Sequence, residues 1–415
     1  MSEQENWREK EPSLKEVIAN NPEVPPLMLL KADVCRRGIT YTKAALDLVD
    51  SNIHQTEIKY LFREDKGNVP VALSLRDGSS LIVFLATNAE TGRDPYVVDA
   101  LDGIPYIFDN GEPIEEVHYW TKPDYYSQKT SRGTEMWKVV NARPQRLDID
   151  TNDCCHFWDK PGGGCKYCFA AGAYNDAKNL PKCRLNLDDL RETVGAALKQ
   201  KGRFSTIMLT GGSILSGKEV LDDEVDMYIE VLQAVGANFK TRRFPSQLVA
   251  TAFNERQLER LHEKTGLMGY TPDIEVLNAE KFKWICPGKE EFVGYHEWKR
   301  RLYHAVDVFG KGNVNTGIVG GVETATPYGF KTEEEALRFT LEEAEELAEH
   351  GVSCAASIWQ ASPGSVFRNQ KTPTLDYFAK LMHGLDEIRR KNDIPPFLDD
   401  YKRCGSHPNT DLGRM

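Results

Sequence analysis

The stretch Cys154-Cys155-His-Phe-Trp-Asp-Lys-Pro-Gly-Gly-Gly-Cys165-Lys-Tyr-Cys168 places four cysteines within fifteen residues and ends on a Cys-x-x-Cys pair. Three consecutive glycines interrupt it, and glycine lets the backbone approach a bound group closely. Thiolates on a flexible loop are ligands for an iron–sulfur cluster or for a structural zinc ion. The metal that this stretch binds, and the strands and helices around it, therefore decide both the fold class and the function.

Composition narrows the possible classes of protein. The 415 residues are 40% apolar and 28% charged, with a formal net charge of −11. This acidic balance argues against a general affinity for nucleic acid or anionic lipid. We recognise no long apolar run and no signal peptide, and so we expect a cytoplasmic protein without a membrane-spanning segment. The nine cysteines are then expected to be thiols, metal ligands or core residues, not disulfides.

The first 145 residues differ in pattern from the rest of the chain. A short helix at Leu14–Ala19 precedes a break at Pro25-Pro26. Hairpin-type turns then separate strand-like runs, which are Val71–Leu75, Ser80–Ala86, Tyr96–Val98 and Tyr106–Phe108. We predict a small N-terminal α+β accessory domain over residues 1–145, with an aromatic, polar linker at His118–Lys138.

Beyond residue 145, predicted strands alternate with predicted helices. The strands are Arg146–Ile149, Phe204–Leu209, Gln247–Thr251, Ile274–Leu277, Val314–Val319 and Val352–Trp359. The helices are Leu187–Lys199, Glu219–Val235, Glu255–Lys264, His296–Phe309, Glu333–His350 and Leu375–Lys391. Six βα units require a parallel sheet, as an open doubly wound sheet or a full or partial βα barrel. We predict an α/β core over residues 146–370, with its chemistry at the carboxyl ends of the strands, and a C-terminal helix and tail over 371–415.

The cysteine spacing alone leaves two kinds of metal site open. Nine residues separate Cys155 from Cys165, and two separate Cys165 from Cys168. Three thiolates can hold three irons of a 4Fe–4S cluster and leave the fourth iron open for another ligand. The alternative is a structural zinc site that uses Cys154 or Cys155 together with Cys165 and Cys168.

The cysteine triplet, its place after the first strand and the six βα units together resemble the radical S-adenosylmethionine (radical SAM) superfamily. The usual pattern of that family is Cys-x3-Cys-x2-Cys, whereas a nine-residue gap resembles the Elongator catalytic-subunit branch, which acts on tRNA. The resemblance implies a partial (βα)6 TIM-like barrel in which Cys155, Cys165 and Cys168 bind a 4Fe–4S cluster. It also implies that Tyr167 packs by the adenine of SAM.

Segments at later strand ends resemble the biotin synthase and thiazole tyrosine lyase branch of the family. After the second strand, Leu209-Thr-Gly211-Gly212-Ser213 is similar to the family's Gly-Gly-Glu segment, which implies that its backbone meets SAM. The fourth strand carries Glu275, and the following helix carries Arg301. Their resemblance to the thiazole tyrosine lyase segment implies that both residues contact SAM.

Two more segments extend the resemblance to residue 365. Thr316-Gly-Ile318-Val-Gly320-Gly-Val-Glu323 is similar to a Gly-Ile-Val-Gly segment of biotin synthase. The resemblance implies that Ile318 and Gly320 lie against the cofactor. The stretch Trp359–Ser365 resembles the Pro-Gly-Thr turn whose backbone reads the adenine edge in that branch.

The resemblance implies an anaerobic radical SAM enzyme. One electron from a reductant such as ferredoxin or flavodoxin would cleave SAM to a 5′-deoxyadenosyl radical. That radical would take a hydrogen atom from a small-molecule substrate, in cofactor or natural-product biosynthesis. Two alternatives remain open: an Elongator-like tRNA modification enzyme, which the negative charge disfavours, and a non-enzymatic metal-binding scaffold.

Overall fold

The computed structural model describes residues 11–57, 69–82, 94–152, 154–170, 185–397 and 407–414. In its first part, β1, β4, β5 and β6 form one sheet and β3, β2 and β7 form another. The elements are α1 (Leu14–Asn20), α2 (Pro26–Arg37), β1 (Ile39–Tyr41), α3 (Lys43–Asp47), β2 (Ala72–Ser74), β3 (Ser80–Ile82), β4 (Tyr96–Leu101), β5 (Ile104–Asp109), β6 (Glu112–Glu116), β7 (His118–Tyr119) and β8 (Asn141–Arg143).

This part of the chain confirms the predicted helix and strands in their described residues, and it adds two helices that were not predicted, α2 and α3. Pro25 and Pro26 mark a break but also start α2, because a proline at the first helical position has its φ already set for a helix. Residues 83–86 of the second predicted strand lie outside the described residues. The predicted linker contains β7, which pairs with β2, and two short 3-10 turns.

The rest of the chain alternates parallel strands with helices, as predicted. The elements are β9 (Arg146–Asp150), α4 (Leu187–Ala197), β10 (Thr206–Thr210), α5 (Asp222–Gly236), β11 (Ser246–Ala250), α6 (Glu255–Lys264), β12 (Gly269–Pro272), α7 (Ala279–Ile285), α8 (Pro287–Phe292), α9 (Tyr295–Phe309), β13 (Asn315–Gly320), α10 (Glu333–Glu349), β14 (Ser353–Ile358) and α11 (Leu375–Lys391). The short helices α7 and α8 were not predicted.

Six parallel strands lie side by side in chain order. Strands β9 to β12 form a parallel ladder, and β8 pairs antiparallel with β9 at its edge. Strands β13 and β14 form a parallel pair, and two isolated parallel bridges connect that pair to the β12 region, Tyr270 with Val314 and Glu275 with Ile318. Within the described residues no pairing joins β14 back to β9, so the structure is a mixed α/β fold without a closed barrel.

The fourth strand is shifted from its predicted position. The sequence reading placed it at Ile274–Leu277, whereas β12 ends at Pro272. Apolar residues of that run are buried, Ile274 at 0% exposure and Val276 at 2%, but they pack in the core as a loop. Glu275 has a φ of +73°, which a regular strand does not adopt. Burial with a single isolated bridge, Glu275 to Ile318, in place of a strand ladder explains why the apolar run resembled a strand.

The apolar core does not stop at residue 145. The larger core cluster contains Val17, Leu29 and Cys35 of α1 and α2 together with residues of the parallel sheet and its helices. Lys31 of α2 also forms a buried ion pair with Asp411 near the C-terminus. The boundaries at 145 and 370 stay predictions.

The described structure has no helix with the length and apolar content needed to cross a membrane.

Candidate active site

A cavity of about 1060 Å³ lies at the carboxyl ends of the first four parallel strands. Its walls come from the segments that follow β9, β10 and β12, from the end of β11, and from α8. This is the edge at which parallel α/β folds place their ligands. All four cysteines of the Cys154–Cys168 loop face this cavity, together with Tyr167, Gly211, Gly212 and Glu275.

Backbone hydrogen bonds hold the cysteine loop against its neighbours on two sides. On one side, the His156 N–H donates to the carbonyl oxygen of Ser213 (2.8 Å), and the Leu215 N–H donates to His156 Nδ1 (3.1 Å). On the other side, the Lys166 N–H donates to the carbonyl oxygen of Ile285 (2.9 Å). The loop is therefore fixed between the segment after β10 and helix α7.

Glycine is required where the loop meets the segment after β10. A Cβ atom added to Gly212 would lie 2.0 Å from the carbonyl oxygen of Cys154 and 2.6 Å from Cβ of Cys155. Within the loop, a Cβ on Gly164 would lie 2.1 Å from Cε2 of the Trp158 ring. The Gly-Gly pair and the glycine run thus allow the close packing that brings the cysteines to the cavity.

The thiols differ in how readily they lose a proton. Burial raises the pKa of Cys155 to about 11 and raises the pKa of Cys168 further. The pKa of Cys165 is lowered, first by a hydrogen bond with the thiol of Cys286 and also by the charge of Lys289. Because the thiolate is the metal ligand, cluster binding at this site would release protons.

The three predicted ligands fit the donor set that a 4Fe–4S cluster needs. Cys155, Cys165 and Cys168 share one cavity, and no disulfide bond joins the cysteines in the described part of the chain. In the described residues no three His, Cys, Asp or Glu side chains are already gathered around the position of a single metal ion. A four-iron cluster takes each thiolate on a different iron, with the fourth position left for a further ligand.

A buried charge cluster around Glu275 forms another part of the cavity wall. The Lys289 Nζ donates to Glu275 Oε1 (2.6 Å) and to the carbonyl oxygen of Asp273 (2.6 Å). Burial, and then the charge of Glu275, raises the pKa of Asp273 to about 7. The backbone of Glu275 bonds to β13 through Gly317 and Val319. These bonds hold Glu275 in its left-handed backbone conformation, and its side chain lines the cavity.

Three predicted cofactor residues lie outside the lining of this cavity. Arg301 donates from Nη1 to the carbonyl oxygen of Ala252 (2.8 Å) and from Nε to Glu297 (2.7 Å). Ile318 is in the apolar core. The position of a Cβ on Gly320 is 2.7 Å from Leu381 of α11. Their roles toward SAM stay predictions.

Sequence reading missed several residues that line the cavity. The most informative are Thr134 and Trp137 from the predicted linker, Asp189 from the first turn of α4, and Lys289 from α8. Strand-end motifs do not identify Thr134, Trp137 or Asp189, because none of the three directly follows a strand of the parallel sheet. Lys289 lies between Glu275 and Arg301 in the sequence, but only the fold shows its bond to Glu275.

Comparison with known proteins gives weak similarities. No protein-family model matches the chain. A bacteriochlorophyllide c C-7(1)-hydroxylase of Chlorobaculum limnaeum is 22% identical over 319 residues, which cover 72% of this chain and 75% of that protein. Among solved structures, methylornithine synthase matches with a TM-score of 0.39 and 15% identity, over 65% of this chain and 78% of that one. A radical SAM methyltransferase from Sphaerobacter thermophilus matches with a TM-score of 0.40 and 14% identity, over 64% of this chain and 72% of that one.

Proposed function

We propose that this protein is a radical SAM enzyme that acts on a small molecule. Cys155, Cys165 and Cys168 would bind the 4Fe–4S cluster, and SAM would occupy the neighbouring part of the cavity. When bound, the two groups supply a 5′-deoxyadenosyl radical, by one-electron reduction from a donor such as ferredoxin or flavodoxin, for abstraction of a hydrogen atom from the substrate.

The observation that carries this proposal is the shared cavity. The cysteine loop, the Gly-Gly segment and Glu275 come from three different βα units, yet all three line the same 1060 Å³ space. A structural zinc loop would need no such space beside its thiols. The hydroxylase of Chlorobaculum limnaeum supports an enzyme of this general kind.

The chain's own residues would orient the cofactor. Gly211 and Gly212 line the cavity, so their backbone groups can hydrogen-bond to a group bound there. The carboxylate of Glu275 is held by Lys289 and can accept hydrogen bonds from an amino or hydroxyl group. The walls of the cavity would restrict water around a reactive intermediate.

The test measures iron, zinc and SAM cleavage in the anaerobically reconstituted full chain. We expect about four irons per chain and 5′-deoxyadenosine after addition of dithionite and SAM. Cys155→Ala, Cys165→Ala and Cys168→Ala should each lose both signals. Cys154→Ala is the matched control, since it removes the adjacent buried thiol and should keep both. One zinc without iron, and intact SAM, would contradict the proposal.

A further inference from the structure

The side chain of Asp189 provides a polar group at the wall of the cavity that comes from α4. Its Oδ2 accepts a hydrogen bond from the Thr134 hydroxyl (2.9 Å). Its Oδ1 is buried and accepts no hydrogen bond within the described structure. Among the described residues, Arg132 is the cation that forms an ion pair with Oδ1, with Nε at 3.8 Å. The side chain of Asp189 is 8% exposed, and it faces the cavity.

A buried carboxylate oxygen without a donor is unfavourable, because it has lost its hydration without replacement. A role in capping the N-terminus of α4 does not explain why the Asp189 carboxylate is buried there. The N-terminus of α4 is already capped by Asn186, whose Oδ1 accepts from the N–H groups of Asp188 and Asp189. Asp188, in the same turn, also provides a negative charge for the helix dipole while it remains exposed.

Within the described residues, the charged groups around Asp189 provide no hydrogen-bond donor to its Oδ1 atom. The two cavity-lining lysines are already engaged: Lys138 forms an ion pair with Glu135, and Lys289 binds Glu275. Arg132 lies beyond hydrogen-bond distance and its side chain is 58% exposed. Beside Asp189, Trp137 gives the same wall an aromatic surface.

We infer that the carboxylate of Asp189 binds a protonated amine of the substrate, whose apolar or aromatic body lies against Trp137. This inference rests on the proposed function, because it names the class of substrate that the proposed active site would bind. A charge-assisted hydrogen bond between an ammonium and a carboxylate is among the strong ones. Thr134 is a positioning residue, since its hydroxyl donates to Oδ2 and so fixes the orientation of the carboxylate.

The test compares two probes with the same ring system and opposite charge, tryptamine and indole-3-propionate. Equilibrium dialysis against the full chain, before and after cluster reconstitution, measures their binding. We expect tryptamine to bind at least about tenfold more tightly than indole-3-propionate, and Asp189→Asn to weaken tryptamine by a similar factor. Asp188→Asn removes a carboxylate from the same helical turn and should leave tryptamine binding within about twofold.

Equal binding of the two probes to the wild-type chain would overturn the inference, and this comparison needs no variant to fold. Equal loss in Asp188→Asn and Asp189→Asn would also overturn it, because the effect would then be one of net charge. Dialysis does not depend on SAM cleavage. A chain that binds tryptamine through Asp189 but takes up no iron would therefore contradict the proposed function and leave the amine site standing.

Discussion

Gly212 offers the sharpest test of how the cysteine loop is held. In Gly212→Ala the new Cβ would lie 2.0 Å from the carbonyl oxygen of Cys154, and ordinary contact begins at 3.4 Å. The loop or the segment after β10 would therefore have to move by about 1.4 Å, the difference between these two distances. The obstacle is backbone, so no side-chain rotation can relieve it.

A displacement of this size matters because metal sites tolerate only about 0.2 Å in ligand distance. Cys155, next to the displaced Cys154, would then shift relative to Cys165 and Cys168. We expect Gly212→Ala to lose most of its iron after anaerobic reconstitution. Overpacking should also lower the free energy of unfolding of the iron-free protein by about 1–3 kcal/mol. Iron analysis and thermal unfolding measure the two effects separately.

Two further glycine variants act as controls. Gly211→Ala would place its Cβ 2.6 Å from the side chains of Thr151 and Asn152, which can rotate, so we expect a smaller loss of iron. Gly236→Ala adds the same methyl group at the end of α5, 3.2 Å from Phe244, and should keep its iron. Full iron content and an unchanged unfolding midpoint in Gly212→Ala would refute the reasoning.

Two other predictions concern buried charges. Burial raises the pKa of Glu224 from 4.5 to about 7, so its contribution to stability is present below pH 4.5 and is lost as the pH rises through 7. Relative to Glu224→Gln, the wild type should lose about 3 kcal/mol between about pH 5 and about pH 8 in urea unfolding, and parallel pH profiles would contradict this. Lys289→Met leaves the Glu275 carboxylate without its buried cation and should cost about 3–5 kcal/mol of unfolding free energy. The double variant Glu275→Gln/Lys289→Met should recover part of that loss in thermal unfolding, and no recovery would argue against the pair.

The parallel core could be predicted from sequence because its strands and helices follow strong local rules. The helix Glu255–Lys264 begins and ends where it was predicted, since Asn254 caps its first turn and apolar residues recur at helical spacing. At one place, a buried run with a single isolated bridge was predicted to be a strand. The apolar run at Ile274–Leu277 is a buried loop, and local pattern alone does not separate the two cases.

The site could be predicted only where it coincides with strand ends and cysteine spacing. Gly211, Gly212 and the cysteines were found from those patterns and share the cavity. Asp189 was not predicted as a site residue, because acidic residues are common in the first turn of a helix. Its significance comes from a contact with Thr134, 55 residues earlier in the chain, and no local pattern contains such a contact.

The long gap between Cys155 and Cys165 has a structural explanation in the surrounding elements. Part of the extra length forms the turn His156–Trp158, and the carbonyl oxygen of Gly163 then accepts from the Gly288 N–H (2.8 Å) at the start of α8. Between Cys155 and Cys165 the chain thus extends to α8 and returns. The extra residues lie in this excursion, and the three thiols still line the same cavity. The spacing of the cysteines in sequence is thus set by the distance to α8, while their spacing in the site is set by the loop's anchors at Ser213 and Ile285. A nine-residue gap is on this account compatible with the same three-thiol site as a shorter one, provided that α8 is present to receive it.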